Sequence, residues 1–349
     1  MRQTVCAIRD IVRGNIPRID ISELLYNHGC FYLMSKTNKS SLLERLRFEI
    51  LSNKLYNTIV FRNIAPFLSE MSISKIRYAV IKGVVLSKRV YGDIGLRRSC
   101  DLDILIEKRN ADYVKEILLL HGFVQGQMIN GKIIPFNREK IVFYTSSTHQ
   151  LAPFIKSTNN ALFPLVTIDV NFSIIWGQSK ETINMSTVLN NICNEEINSV
   201  EFFSLEKEMD FIAICLHHYK DMNSLFLLYM GKLKLNLFSD IYFYLINQKP
   251  NAKKIIQLSS ALNVSRYVFY CIYYAYLVFD DPVLTLYLKE FDIDNQSEFL
   301  NSYGLTDNER RPWSIAFFDR LFSPDLRPYL REHLDKKELL NIYYNLSLM

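Results

Sequence analysis

Asp101 and Asp103 stand two residues apart in the run Asp101-Leu102-Asp103-Ile104-Leu105-Ile106. In an extended chain, alternate residues share a face, so both carboxylates project together while Leu102, Ile104 and Ile106 face a core. Adjacent carboxylates repel unless a cation lies between them. Mg²⁺ suits such a pair because it takes oxygen ligands, keeps waters and binds substrate phosphates. A third acid, Asp169, interrupts Val166-Thr167-Ile168-Asp169-Val170, and Thr167, Asp169 and Asn171 fall on one face. An acid on an apolar strand is costly unless it is paired, ligated or solvated in a cleft. Three acids on neighbouring strands can hold two divalent ions, one at a triphosphate and one at an attacking hydroxyl. Asp169 could instead take the proton of that hydroxyl. Upstream, Lys82-Gly83 ends another apolar run. A glycine at a helix start lets backbone N–H groups approach an anion, Lys82 and Arg97 could offset phosphate charge, and Arg97 could instead steady the acid loop.

The elements that must position these groups follow from periodicity. Residues 1 to about 75 read as helical, with apolar side chains at helical spacing through Leu42–Leu51 and a second helix from Phe61 to Glu70. Between 76 and 178 strands and helices alternate: Tyr78–Ile81, a helix over Val84–Tyr91, Leu102–Ile106, and a helix over Asp112–His121 stopped by Gly122. Ile141–Thr145 and Leu165–Phe172 read as further strands because they are rich in β-branched and aromatic residues. From about 179 to 349 the pattern is helical again, with helices expected over 207–219, 225–247, 253–257 and 267–279. The polar clusters Asn194-Glu195-Glu196 and Asn198-Ser199 read as separators. Three parts are therefore expected: N-terminal helices (1–75), an α/β core (76–178) and a helical C-terminal part (179–349).

Composition excludes several classes. A hydrophobic share of 49% and a charged share of 22% describe a folded chain rather than a disordered one. A net charge of +5 is too small an excess to argue for a nucleic-acid partner by itself, and DNA is not an expected one. Six scattered cysteines, with no Cys-x-x-Cys pair, build no zinc framework and read as small buried side chains in a reducing compartment. No apolar run approaches the ~20 residues of a membrane span, and no signal peptide opens the chain, so a cytoplasmic location is expected. The hydrolase elbow, the P-loop and the dinucleotide fingerprint are all absent.

Other chemistry-bearing groups are weaker. Asp292-Ile293-Asp294 repeats the acid spacing without a glycine turn before it or a strand after it, and reads as a loop or helix start. His217 and His218 are neighbours on a helix, so they point to different faces, with Asp221 in reach of one of them. His149 and Asp240 are candidates for substrate contact or for local structure, and Lys232 and Lys234 for a phosphate path or plain solvent exposure.

At these residues the chain resembles the nucleotidyltransferases of the DNA polymerase β-like superfamily, and within it the bacterial "uncharacterised nucleotidyltransferase" family. The resemblance rests on Lys82-Gly83-Val84-Val85-Leu86, Tyr91, Arg97 and Asp101-Leu102-Asp103-Ile104-Leu105-Ile106, then on Thr148-His149-Gln150-Leu151, the Asp169 strand, Leu216-His217-His218, Phe238-Ser239-Asp240-Ile241 and Arg320-Leu321-Phe322. It implies an α+β, helix-rich fold: a small mixed-sheet nucleotidyltransferase core with N-terminal helices and a C-terminal helical domain. It implies Mg²⁺ or Mn²⁺ on Asp101, Asp103 and Asp169, and an NTP, ATP included, at Lys82, Gly83 and Arg97. The activity implied is transfer of a nucleoside monophosphate, with pyrophosphate release, to a small molecule, a peptide or protein, or an RNA end, as in a tRNA-modifying toxin. Two departures stand out. Val84 replaces the usual serine or glycine after Gly83, and Asn171-Phe172 replaces the usual His-Trp of the third-acid strand. They motivate the alternative of an inactive, binding-only member.

Overall fold

The apolar runs around the acids pair into one eight-stranded mixed sheet. In chain order the strands are β1 (Tyr78–Ile81), β2 (Leu102–Ile106), β3 (Val124–Ile129), β4 (Lys132–Pro135), β5 (Phe154–Ser157), β6 (Leu165–Asn171), β7 (Ile192–Ile197) and β8 (Val200–Leu205). Their spatial order is β4-β3-β5-β6-β2-β1-β8-β7. The acid strands are central: β2 runs antiparallel to β1 and parallel to β6. This computed structural model describes residues 1–37, 42–177, 179–231, 233–291 and 298–348, so Asp292-Ile293-Asp294 and Lys232 lie outside the described residues.

Helices lie at both ends of the chain. Before the sheet come α1 (Arg2–Val12), α2 (Ser22–Asn27), α3 (Phe31–Ser35) and a single long α4 (Leu43–Ile73) where two helices were expected. Within the sheet region lie α5 (Gly83–Tyr91), α6 (Ala111–Leu120), α7 (Arg138–Ser147) and α8 (Met185–Leu189). Then follow α9 (Lys207–Asn223), α10 (Leu225–Met230), α11 (Leu235–Gln248), α12 (Ala252–Ala261), α13 (Ser265–Phe279) and α14 (Pro282–Leu288). The small hairpin β9 (Ser302–Tyr303) and β10 (Arg311–Pro312) precedes α15 (Phe317–Phe322), α16 (Arg327–Arg331) and α17 (Lys336–Leu348).

The sheet separates two cores. On its back face Val80, Leu102, Ile104, Ile106, Ile168 and Val170 pack with Phe61, Ile64, Phe67 and Leu68 of α4 and with Val114, Ile117 and Leu118 of α6. On its front face Ala79, Ile81, Leu105 and Leu205 join the core of α9, α11 and α13. Alternation along β2 and β6 thus buries every second side chain behind the sheet and leaves the acids in front. Among the described residues no helix is long and apolar enough to cross a membrane.

Three further segments differ from their expected structure. The single helix expected over 225–247 is broken into α10 and α11 between Met230 and Leu235. Ile141–Thr145 lies inside α7 rather than in a strand. The Asn137 side chain accepts from Lys140 N at 2.9 Å and starts a helix that outweighs the β-branched composition. The polar clusters at 194–199 do not separate elements but form a hairpin. Asn198 and Ser199, both at positive φ, make its two-residue turn, and β7–β8 extends the sheet beyond residue 178. Of the cysteines, Cys30, Cys215 and Cys271 are buried and Cys6 and Cys100 are exposed; all six are free.

Candidate active site

The parallel register of β2 and β6 sets Leu102 beside Ile168 and Asp103 beside Asp169. Asp101 is the residue just before β2. The three carboxylates expected to act together therefore lie on one face of two adjacent strands. Asp103 Oδ1 accepts from Lys82 Nζ at 3.0 Å and from Asn171 Nδ2 at 3.0 Å. Asp169 Oδ1 is buried and has no hydrogen-bond partner among the described residues. Burial first, then the charges of Asp103 and Asp101, push the Asp169 carboxyl up to about 7, against the opposing pull of Lys82 and Lys220. Burial and Asp103 raise Asp101 as well.

Lys82 and Gly83 make the turn from β1 into α5. Gly83 has φ +37°, and a Cβ there would sit 3.4 Å from both Asp101 O and Ser99 Oγ. Lys82 itself has φ 55° and ψ −147°, a conformation that is nearly glycine's alone and costs roughly 1–3 kcal/mol. That turn aims the ammonium at the acids. Burial opposes the Lys82 charge, but Asp103, with Asp101 behind it, holds the group above the usual lysine value.

The loop that carries Asp101 is clamped by α4. Asn53 Nδ2 donates to Gly95 O at 3.0 Å and Asn57 Nδ2 to Ile94 O at 2.7 Å. The Tyr56 hydroxyl donates to Cys100 O, and Lys54 pairs with Asp93 at 2.6 Å. Gly95 is obligatory: a Cβ there would stand 2.4 Å from Ile50 O.

Arg97 is bonded to Asp240 rather than to the acids. Its Nε donates to Asp240 Oδ2 at 3.0 Å, and Asp240 also takes the Tyr91 hydroxyl at 2.7 Å and lies 3.0 Å from His218 Nε2. Asp240 has 0% side-chain exposure, so it faces the cluster rather than solvent. Burial alone would raise its carboxyl, but Arg97, His218 and Tyr91 bring it down to about 2. This cluster ties the acid loop to α9 and α11.

His149 lies beside the acids instead. With Lys82, His217, Lys220 and Trp176 it lines a narrow cavity of about 20 Å³, room for roughly one water. Burial, then Lys220 and Lys82, hold the His149 ring neutral down to about 3, and burial with Lys82 likewise depresses His217. The Lys220 ammonium makes no hydrogen bond or ion pair among the described residues, and burial with Lys82 lowers it below the usual lysine value. Lys220 is the group sequence reading passed over. Its spacing of three residues from His217, which puts both on one helix face, was the available signal.

Among the described residues no group of three or more His, Cys, Asp and Glu side chains stands in metal-holding geometry. The donor chemistry nevertheless fits a hard divalent cation: all donors are carboxylate oxygens, and one of them, Asp169 Oδ1, is buried and unsatisfied.

The profile of the family described as uncharacterised nucleotidyltransferase matches residues 18–280. The crystal structure of an antigenic nucleotidyltransferase-like protein from Paracoccidioides brasiliensis is similar at 17% identity and a TM-score of 0.36, over 66% of this chain and 92% of that one. None of the curated proteins matches. Since the profile spans well over half of the sequence, the chain belongs to the uncharacterised nucleotidyltransferase family.

Proposed function

We propose that this protein transfers a nucleoside monophosphate from an NTP to a hydroxyl or phosphate oxygen of an acceptor. The acceptor is a small molecule, a peptide or an RNA end. The new bond joins the acceptor oxygen to the α-phosphorus. The bond from that phosphorus to the α–β bridging oxygen breaks, and pyrophosphate leaves with the electron pair. Asp101 and Asp103 would hold Mg²⁺ or Mn²⁺, which supplies charge neutralisation at the phosphates and a more acidic acceptor hydroxyl. Asp169 would either complete that site, with the acceptor proton passing to solvent, or stand off the cation and take that proton as general base. The Gly83 turn offers backbone N–H groups to the phosphates. Lys82 and Lys220 offer ammonium groups, the latter without an ion pair among the described residues, while His149 and His217 stay neutral at the cavity between them. Arg97 and Asp240 serve by position, anchoring the acid loop. In this reading helices 1–75 support the core 76–178, and the part from 179 onward closes the cleft.

The observation that carries the proposal is the in-register pair Asp103–Asp169, with one buried carboxylate oxygen of Asp169 unsatisfied among the described residues. The test is pyrophosphate release from each NTP with Mg²⁺ or Mn²⁺ and cell extract. Release that disappears in Asp101→Asn/Asp103→Asn supports transfer. A binding-only role has its own motive. Val84 is buried in the back core and offers no hydroxyl at the start of α5, and the Asn171 amide occupies Asp103 Oδ1. Tight NTP binding without release from any nucleotide would favour that role.

A further inference from the structure

A second cavity, of about 390 Å³, opens at the start of β2 and β6, where Ser52 and Tyr56 of α4 meet Arg98, Ser99, Phe163 and Thr167. It adjoins the acids. Thr167 lies two residues before Asp169 on the same strand face, and Ser99 borders the Gly83 turn. The narrow cationic cavity lies past the other end of β6, at Ser173–Trp176. Asp169 therefore stands between two spaces of opposite character. One has cations and room for a single water. The other has room for a ring system, since organic ligands occupy cavities of roughly 300–1,000 Å³.

The wider cavity carries no unbalanced charge. Its one cation, Arg98, is paired with Glu49 at 2.7 Å. Its walls instead hold an aromatic pair, Tyr56 and Phe163, with centroids 5.5 Å apart and planes tilted by 59°. The hydroxyls of Ser52 and Thr167 make no hydrogen bond among the described residues. Aromatic faces with free neutral donors and acceptors match a planar heterocycle with a hydrogen-bonding edge, and do not match a phosphate.

We propose that this cavity holds the base of the incoming nucleotide, with Phe163 and Tyr56 against its ring and Ser52 and Thr167 at its polar edge. The assignment rests on the nucleotidyl-transfer reading and adds to it the part of the protein that discriminates among bases.

The test is calorimetric titration of the 349-residue chain with each of the four NTPs and with inorganic tripolyphosphate, all with Mg²⁺. Ser52→Phe fills the cavity from a half-exposed helix position, Phe163→Ala removes the ring, and Thr167→Val removes one hydroxyl at constant shape. Ser52→Phe and Phe163→Ala should weaken the preferred NTP by roughly tenfold and flatten the preference among bases, with tripolyphosphate binding unchanged. That unchanged binding also shows the variants to be folded. Thr167→Val should alter the base preference alone. Unaltered affinity and base preference in all three variants overturns the assignment while leaving phosphate binding, and so nucleotidyl transfer, intact. Failure of the wild-type chain to bind either tripolyphosphate or any NTP removes the assignment together with the reading beneath it.

Discussion

Replacing Asp169 by asparagine should make the cation-free protein more stable, and more so as pH rises. The carboxyl moves from its ordinary 3.8 to about 7 on folding. The folded state therefore holds a proton that the unfolded state has lost between those two values. Stability falls as pH climbs through that window, and the whole penalty is present above it. At about 1.4 kcal/mol per unit, the shift amounts to something on the order of 4 kcal/mol. The amide cannot ionise and escapes this term. Urea unfolding in a chelator should then show Asp169→Asn ahead of wild type by about 4 kcal/mol near pH 8.5 and by less than half of that near pH 5. Mg²⁺ should narrow the gap at the higher pH by stabilising wild type more than the variant, because the variant offers the cation one carboxylate fewer. A gain that does not vary with pH, or no gain at all, would refute the claim that Asp169 is held ionised at a cost to the fold.

Lys220→Met should weaken NTP binding by about tenfold or more, in line with the loss of one charge-assisted phosphate contact, as read by titration calorimetry. Asp240→Ala leaves the Arg97 guanidinium buried without its carboxylate and should lower stability by roughly 3–5 kcal/mol, seen as a fall in the urea midpoint. Gly95→Ala forces a methyl group against Ile50 O and should destabilise by about 1–3 kcal/mol. Because the displaced loop carries Asp101, pyrophosphate release should fall further than the fraction folded.

Alternation made the shared face of Asp101 and Asp103, and that of Thr167, Asp169 and Asn171, legible before any coordinates. What alternation cannot supply is adjacency: nothing local says that β6, rather than β1 or β5, lies parallel to β2 with Asp169 level with Asp103. Arg97 shows a similar gap. An arginine four residues before an acid pair reads as a phosphate ligand or as a brace for the acid loop, and only the tertiary fold shows Asp240, from a distant helix, holding its guanidinium. Helix α7 was missed because Ile141-Val142-Phe143-Tyr144-Thr145 has strand-forming side chains, while the cap on Asn137 and the solvent exposure that permits a helix are settled by neighbours. The hairpin at 192–205 was missed for the opposite reason: its polar residues serve an outer sheet edge, where burial leaves little pattern to read.

The long helix α4 grips the segment between Gly92 and Cys100 through five side chains of its own, Glu49, Asn53, Lys54, Tyr56 and Asn57. The shape of the most chemically demanding stretch of this chain is thus encoded some forty residues upstream of it. Transplanting the glycine turn and acid strand into another scaffold would carry over the reactive groups but leave behind the vice that holds them, and inherited changes along that one helical face could retune or silence catalysis without touching a carboxylate.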